Sequence, residues 1–203
     1  MSIVTLNDRA VRSVTAFGSL NTGSMVFIKK LTASSSSTIS FVNGSSNVVL
    51  DSTYKEYMFT FNNIHPSADG QQFKFQASTD GGSNYNTTIA STYFIAYHKE
   101  DGSENALTYV TGSDQALTTN FMVLGSPDNE NDSGMCGTLS LFAPSDTTFV
   151  KTWIARSIND PSSYAQDEYT AGYFNTASAV NAVQFKMGSG NIDSGDICLY
   201  GIS

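Results

Sequence analysis

Turn signals recur so often along this chain that no long element fits between them. Short runs of β-branched and aromatic residues, such as "MVFIKKL" (25–31), "STISFVN" (37–43) and "EYMFTFNNI" (56–64), are each cut off by Ser, Asn, Gly or Pro. "QFKFQAS" (72–78) alternates strictly, so Phe73 and Phe75 fall on one face of a strand. The Asp-Gly pair in "TDGGSN" (79–84) marks a tight turn, and "HPSADG" (65–70) supplies Pro and Gly at loop positions. The same reading predicts strands at 92–98, 106–111, 118–124, 137–142, 148–156, 168–174, 180–187 and 196–202, and takes "ASSSS" (33–37) as a hairpin loop. About a dozen short strands with a turn roughly every 8–12 residues, and no convincing amphipathic helix, point to a sandwich or a barrel.

The two ends read differently. Residues 1–24 hold apolar positions without a clean period, which suggests an irregular arm with room for a short helix around 8–13. In "SGNIDSGDICLYGIS" (189–203), Ile197, Leu199 and Gly201 alternate with Cys198, Tyr200 and Ile202, so both faces are largely apolar. That pattern predicts a closing strand covered on both sides, with 188–195 as the turn before it. The expected organisation is an arm or anchor over 1–24 and one β-sandwich over 25–203, with the N-terminus as the end that reaches a partner.

Composition narrows the function. The 203 residues include 50 Ser and Thr, 16 Asn, 13 Phe and 10 Tyr, with 14% charged, which suits pleated sheets joined by turns. The net charge is −8, and the ten Lys and Arg are scattered apart from Lys29-Lys30, so the basic stripe of a nucleic-acid binder is missing. No apolar run approaches the ~18 residues of a membrane span, and Met1-Ser2-Ile3 reads as a cytosolic translation start. Cys136 and Cys198 each sit in an alternating stretch, which favours two small buried hydrophobes over a disulfide.

Searches for chemistry return little. His65 and His98 are the only histidines; with Glu100 they could form a metal site, but two strand-end histidines paired with loop groups are the simpler reading. The loop "SPDNENDSG" (126–134) is rich in oxygen ligands for calcium. Counted from Asp128, however, the EF-hand template meets Ser133 at its glycine position and Leu139 at its final glutamate. No G-x-S-x-G elbow, phosphate loop or dinucleotide fingerprint is present, and the carboxylates fall mostly in solvated turns. No cofactor, metal or catalytic residue is therefore assigned, and the chain reads as a non-enzyme. The sequons at Asn43, Asn86 and Asn131 matter only in a secretory setting, which nothing supports. Aromatic side chains are the remaining lead: Trp153, Tyr164, Tyr169 and Tyr173 are the candidate ligand or interface residues, with a core or interface favoured for the lone tryptophan.

Longer stretches carry a resemblance. "NDRAVRSVTAFGSL", "IKKLTASSSSTISFVNGSSNVVLDSTYKEYMFTFNNIHPS", "STDGGSNYN", "FIAYHKEDGS", "LFAPSDTTFVKTWIA", "AGYFNTASAVNAVQFKMGSGNID" and "LYGI" together run from about Leu6 to Ile202. This succession resembles a family of uncharacterised virion structural proteins of marine tailed phages, chiefly those infecting cyanobacteria. The family brings no assigned catalytic or ligand residues. Its members often read "LFNPSSTTFVKHF" where this chain has Ala143, Asp146, Thr152 and Trp153, so a histidine is absent here. The resemblance implies a structural protein of a bacteriophage virion, made in the host cytoplasm, and by analogy with the double sheets of capsid and lectin domains the strand pattern is expected to form a jelly-roll-like antiparallel β-sandwich. The expected roles are capsid decoration or a tail-fibre component, with a receptor- or carbohydrate-binding module of a tail appendage as the alternative. Expected partners are other virion proteins and further copies in a homotrimer, with a host surface glycan under the alternative; nucleic acid and membrane are not among them.

Overall fold

The protein is described by a computed structural model over residues 24–161 and 163–203. The expected arm, apart from Ser24, and the helix expected around 8–13 lie outside the described residues. Thirteen strands follow in order: β1 (Met25–Ser36), β2 (Ile39–Val42), β3 (Glu56–Pro66), β4 (Phe73–Ser78), β5 (Ile89–Lys99), β6 (Asn105–Tyr109), β7 (Ala116–Thr118), β8 (Met122–Gly125), β9 (Met135–Phe142), β10 (Lys151–Asn159), β11 (Tyr164–Phe174), β12 (Ala182–Met187) and β13 (Ile192–Ile202). The all-β antiparallel sandwich expected from the sequence is the fold observed, with no helix among the described residues.

A wide sheet runs β1-β13-β3-β9-β10-β11-β5-β6, with β7 also on β5, and a smaller one runs β2-β12-β4-β8. Chain order alternates between them: β1 to β4 switch sheet at each step, as do β9, β12 and β13 after β8 once the paired insertion β10–β11 is set aside. The facing sides meet in a layer of phenylalanines. Phe185 of β12 packs on Phe59 at 5.3 Å and Phe61 at 5.4 Å, and Phe41 meets Phe59 at 5.3 Å, all edge to face. Such pairs add about 0.5–1.5 kcal/mol each beyond the area they bury.

Local chemistry moved several boundaries. Residues 33–36 are not a hairpin loop: they continue β1, because Ala33 to Ser36 pair with Gly195 to Ile192 of β13. The strand expected at 118–124 divides into β7 and β8. The Gln76 amide donates to the carbonyls of Thr119 and Asn120 at 3.1 Å and holds that link away from the wide sheet. β10 starts at Lys151 rather than 148, since the Asp146 carboxylate accepts the amides of Thr148 (2.6 Å) and Phe149 (2.8 Å) in a turn. β13 begins before its expected turn has ended. Gly195, at φ +119°, carries the strand through a bulge where a Cβ would stand 2.6 Å from the Asn63 carbonyl oxygen. Beyond it Ile197 and Leu199 enter the core, and β13 lies between β1 and β3.

Candidate functional site

Alternation along β10 decides the fate of Trp153. Lys151, Trp153, Ala155, Ser157 and Asn159 point inward, whereas Thr152, Ile154, Arg156 and Ile158 point outward. Trp153 is 1% exposed and meets Phe75 edge to face at 5.0 Å, so it is a core residue and neither a ligand platform nor an interface side chain. Gly172, opposite on β11, makes the room: a Cβ there would lie 2.7 Å from the indole ring.

The three tyrosines do not form one platform. Tyr164 stands on the inward side of β11, where its hydroxyl donates to Glu104 at 3.0 Å and its ring meets Tyr97 at 5.6 Å. Tyr169 and Tyr173 occupy outward positions, facing Arg156 and Thr152 in register. Arg156 grips Asp167 with two hydrogen bonds, 2.9 Å from Nε and 2.6 Å from Nη2, and its guanidinium lies 4.9 Å from the Tyr169 ring centre. Beyond it Tyr169 stacks on Phe94 at 4.9 Å with 4° between the planes, and Tyr109 is next in the same row. Both faces of Tyr169 are thereby occupied. The pair with Arg156 holds the Asp167 carboxyl below its ordinary range and raises the guanidinium.

Around this ladder the outer face is apolar. Ile154 (58% exposed), Leu107 (73%), Ile158 and Tyr109 all face out. Apart from the closed Arg156–Asp167 pair and His98, the outward positions of β10, β11, β5 and β6 carry no cation or carboxylate. A shallow hollow of about 350 Å³ lies beside Arg156, between Cys136, Ile158 and Asp167.

Beneath the face, the inward side of β10 and β11 carries buried polar groups beside Trp153 and Phe174. Glu168 is fully buried and accepts the Tyr93 hydroxyl, the Ser126 amide (2.9 Å) and the Gln166 amide (2.7 Å). Burial raises its pKa to about 8, so the carboxyl is largely protonated at neutral pH. Lys151 is equally buried and donates to the carbonyls of Phe149 (2.6 Å) and Thr176 (3.2 Å), and burial lowers its pKa. Sequence reasoning passed over Glu168; its place in the alternation of β11 was the one available signal.

The remaining candidates are dispersed. His65 Nε2 lies 3.1 Å from the Glu130 carbonyl oxygen and Nδ1 3.8 Å from Asp193, while His98 sits on the outward side of β5. In the 126–134 loop Asp128 is buried and bonded to the Asn129 amide, and Ser133 donates to Asp160 at 2.7 Å. Among the described residues, no group of three or more His, Cys, Asp or Glu side chains is placed to hold a metal ion. Cys198 is buried and Cys136 half-buried, both as free thiols. No protein-family model and no curated protein matches the chain.

Proposed function

We propose that this chain is a non-enzymatic structural protein of a tailed-phage virion, displayed as capsid decoration or as part of an outward fibre and assembled as a homotrimer. The observation that carries the reading is the outer face of β10, β11, β5 and β6: apolar, with its one cation paired to Asp167 and, beside His98, only the Asp114 carboxylate reaching it, at 2.7 Å from the Tyr109 hydroxyl, in a chain of net charge −8. Acidic copies repel one another over most of their surface, and a neutral face is where they can meet. Four strands about 4.8 Å apart and a nine-residue strand of about 30 Å give roughly 600 Å² per copy, which for two partners reaches the lower end of the ~1,200–2,000 Å² of a stable interface. The strand order adds support. We read β1-β13-β3-β9 facing β2-β12-β4-β8 as a jelly roll into which β5–β7 and β10–β11 are inserted. Such double sheets recur in capsid domains, though fold alone does not assign function.

Sedimentation equilibrium of the purified chain tests the assembly, and a map of gradient-purified particles of a phage encoding it tests the location. A trimer in solution and density for the sandwich on the particle surface are expected; a persistent monomer missing from particles overturns the reading. Residues 1–24 serve in it as the anchor. Deleting them should abolish incorporation and leave a folded sandwich, whereas deleting 196–203 should cost the fold, because Ile197 and Leu199 are core residues.

The exposed rings of Phe94 and Tyr109 on this face favour a second reading, a carbohydrate-binding module of a tail appendage. A glycan array separates the two: binding to host polysaccharide that Tyr109→Ala removes supports the module, and silence of the wild type refutes it.

A further inference from the structure

The outer side of the smaller sheet carries a charge arrangement that the fold does not need. Lys74 of β4 and Lys186 of β12 are direct register partners. Like charges directly opposite one another destabilise a sheet. Lys74 is also partly desolvated, and burial together with the charge of Lys186 pulls its pKa below the ordinary lysine value. Lys30, Lys99 and Arg156 have carboxylates at 2.9, 3.6 and 2.6 Å, while Lys29, Lys55 and Lys151 make no ion pair among the described residues. Among the described residues Lys74 and Lys186 have none, and Lys186 instead lies 4.2 Å from the Phe121 ring centre. Lys74 also lines the adjoining hollow, whose wall includes Asp69 and Asp128.

Both lysines line a polar hollow of about 390 Å³, together with the amides of Gln72, Gln115 and Asn120. The position sets two lysines opposite one another in register, with neutral polar side chains around them, in an otherwise acidic protein. A ligand bearing two negative charges and several acceptor oxygens would satisfy every one of these groups. We propose that this hollow binds a tetrahedral dianion, sulfate or phosphate, either as the free ion or as a substituent on a saccharide. The site is independent of where on a particle the protein stands.

The test uses the full chain with its lysines ¹³C-methylated, which keeps their charge, followed by NMR. Sodium sulfate, sodium phosphate and sodium chloride are titrated at constant ionic strength. Saturable shifts of Lys74 and Lys186 with sulfate or phosphate but not chloride are expected, and Lys186→Gln should weaken the Lys74 response at least tenfold. That variant should melt no lower than the wild type in chloride, so lost binding cannot be ascribed to unfolding. Galactose 6-sulfate distinguishes the sources: a tenfold tighter response than inorganic sulfate marks a saccharide substituent, and an equal response marks the free ion. Shifts that fail to saturate, appear equally in chloride, or survive unchanged in Lys186→Gln overturn the proposal.

Discussion

Arg156 and Lys186 occupy comparable places with opposite surroundings. Each is a cation on an outer sheet face beside an aromatic ring, Tyr169 at 4.9 Å and Phe121 at 4.2 Å. Arg156 has its counter-charge built in, since Asp167 meets it from the neighbouring strand; Lys186 faces another lysine. A cation whose charge is already closed can be covered by an apolar surface at little electrostatic cost, whereas an unmatched pair of ammoniums repels such a cover and attracts an anion. The wide sheet thus presents a face suited to protein contact, and the small sheet one suited to a charged ligand.

The largest expected effect comes from placing charge on the neutral face. Ile154→Glu combined with Leu107→Glu should raise the dissociation constant of the assembly by roughly 10³-fold or more, because the carboxylates would be buried unpaired. Lys74→Gln with Lys186→Gln should leave assembly unchanged. If sedimentation shows the reverse, the roles of the two faces are exchanged.

Beneath the wide face, Glu168 sets a pH dependence of a few kcal/mol. Its folded pKa of about 8 lies above the ordinary 4.5, so its favourable contribution is complete below pH 4.5 and is lost as pH rises through 8. Glu168→Gln keeps donors and acceptors for Tyr93, Ser126 and Gln166 while removing the titration. Denaturant unfolding should show the wild type losing stability relative to this variant between about pH 4.5 and 8, and parallel curves would remove Glu168 from the explanation.

Smaller effects should differ in sign between the faces. Arg156→Ala leaves Asp167 without its cation and should lower Tm by about a degree or two. Lys186→Gln, measured without multivalent anions, should raise stability by roughly 0.2–1 kcal/mol by removing the cross-strand repulsion. Smallest is Ala143→Asn. Ala143 sits at φ +41°, a conformation that asparagine tolerates better than alanine, and a gain of a few tenths of a kcal/mol is expected by calorimetry.

How far the sequence could be read depended on the range of each interaction. Alternation and turn chemistry are local, which is why most strands and the sandwich were legible. Three misread segments were settled by distant partners, Ser34 by Ser194, the 119–120 link by Gln76 and the bulge at Gly195 by Asn63, whereas the start of β10 turned on the nearby Asp146 carboxylate. Alternation puts Trp153 on the face of Lys151 and Ala155, but only packing against Phe75 and Gly172 shows that this face is inward, and Phe149, two residues before Lys151, lies outside the strand and is exposed. The ladder and the lysine pair depend on register across strands far apart in sequence, which no single strand reveals.

The contrast between the faces is tested most directly by footprinting the assembled protein on both at once, with hydroxyl radicals for the apolar side chains and acetic anhydride for the lysines. Phe94 and Tyr109 should be protected relative to the dissociated Ile154→Glu, Leu107→Glu variant, while Lys74 and Lys186 acetylate at the same rate in both. Protection of the two lysines with unchanged oxidation of Phe94 and Tyr109 would contradict it.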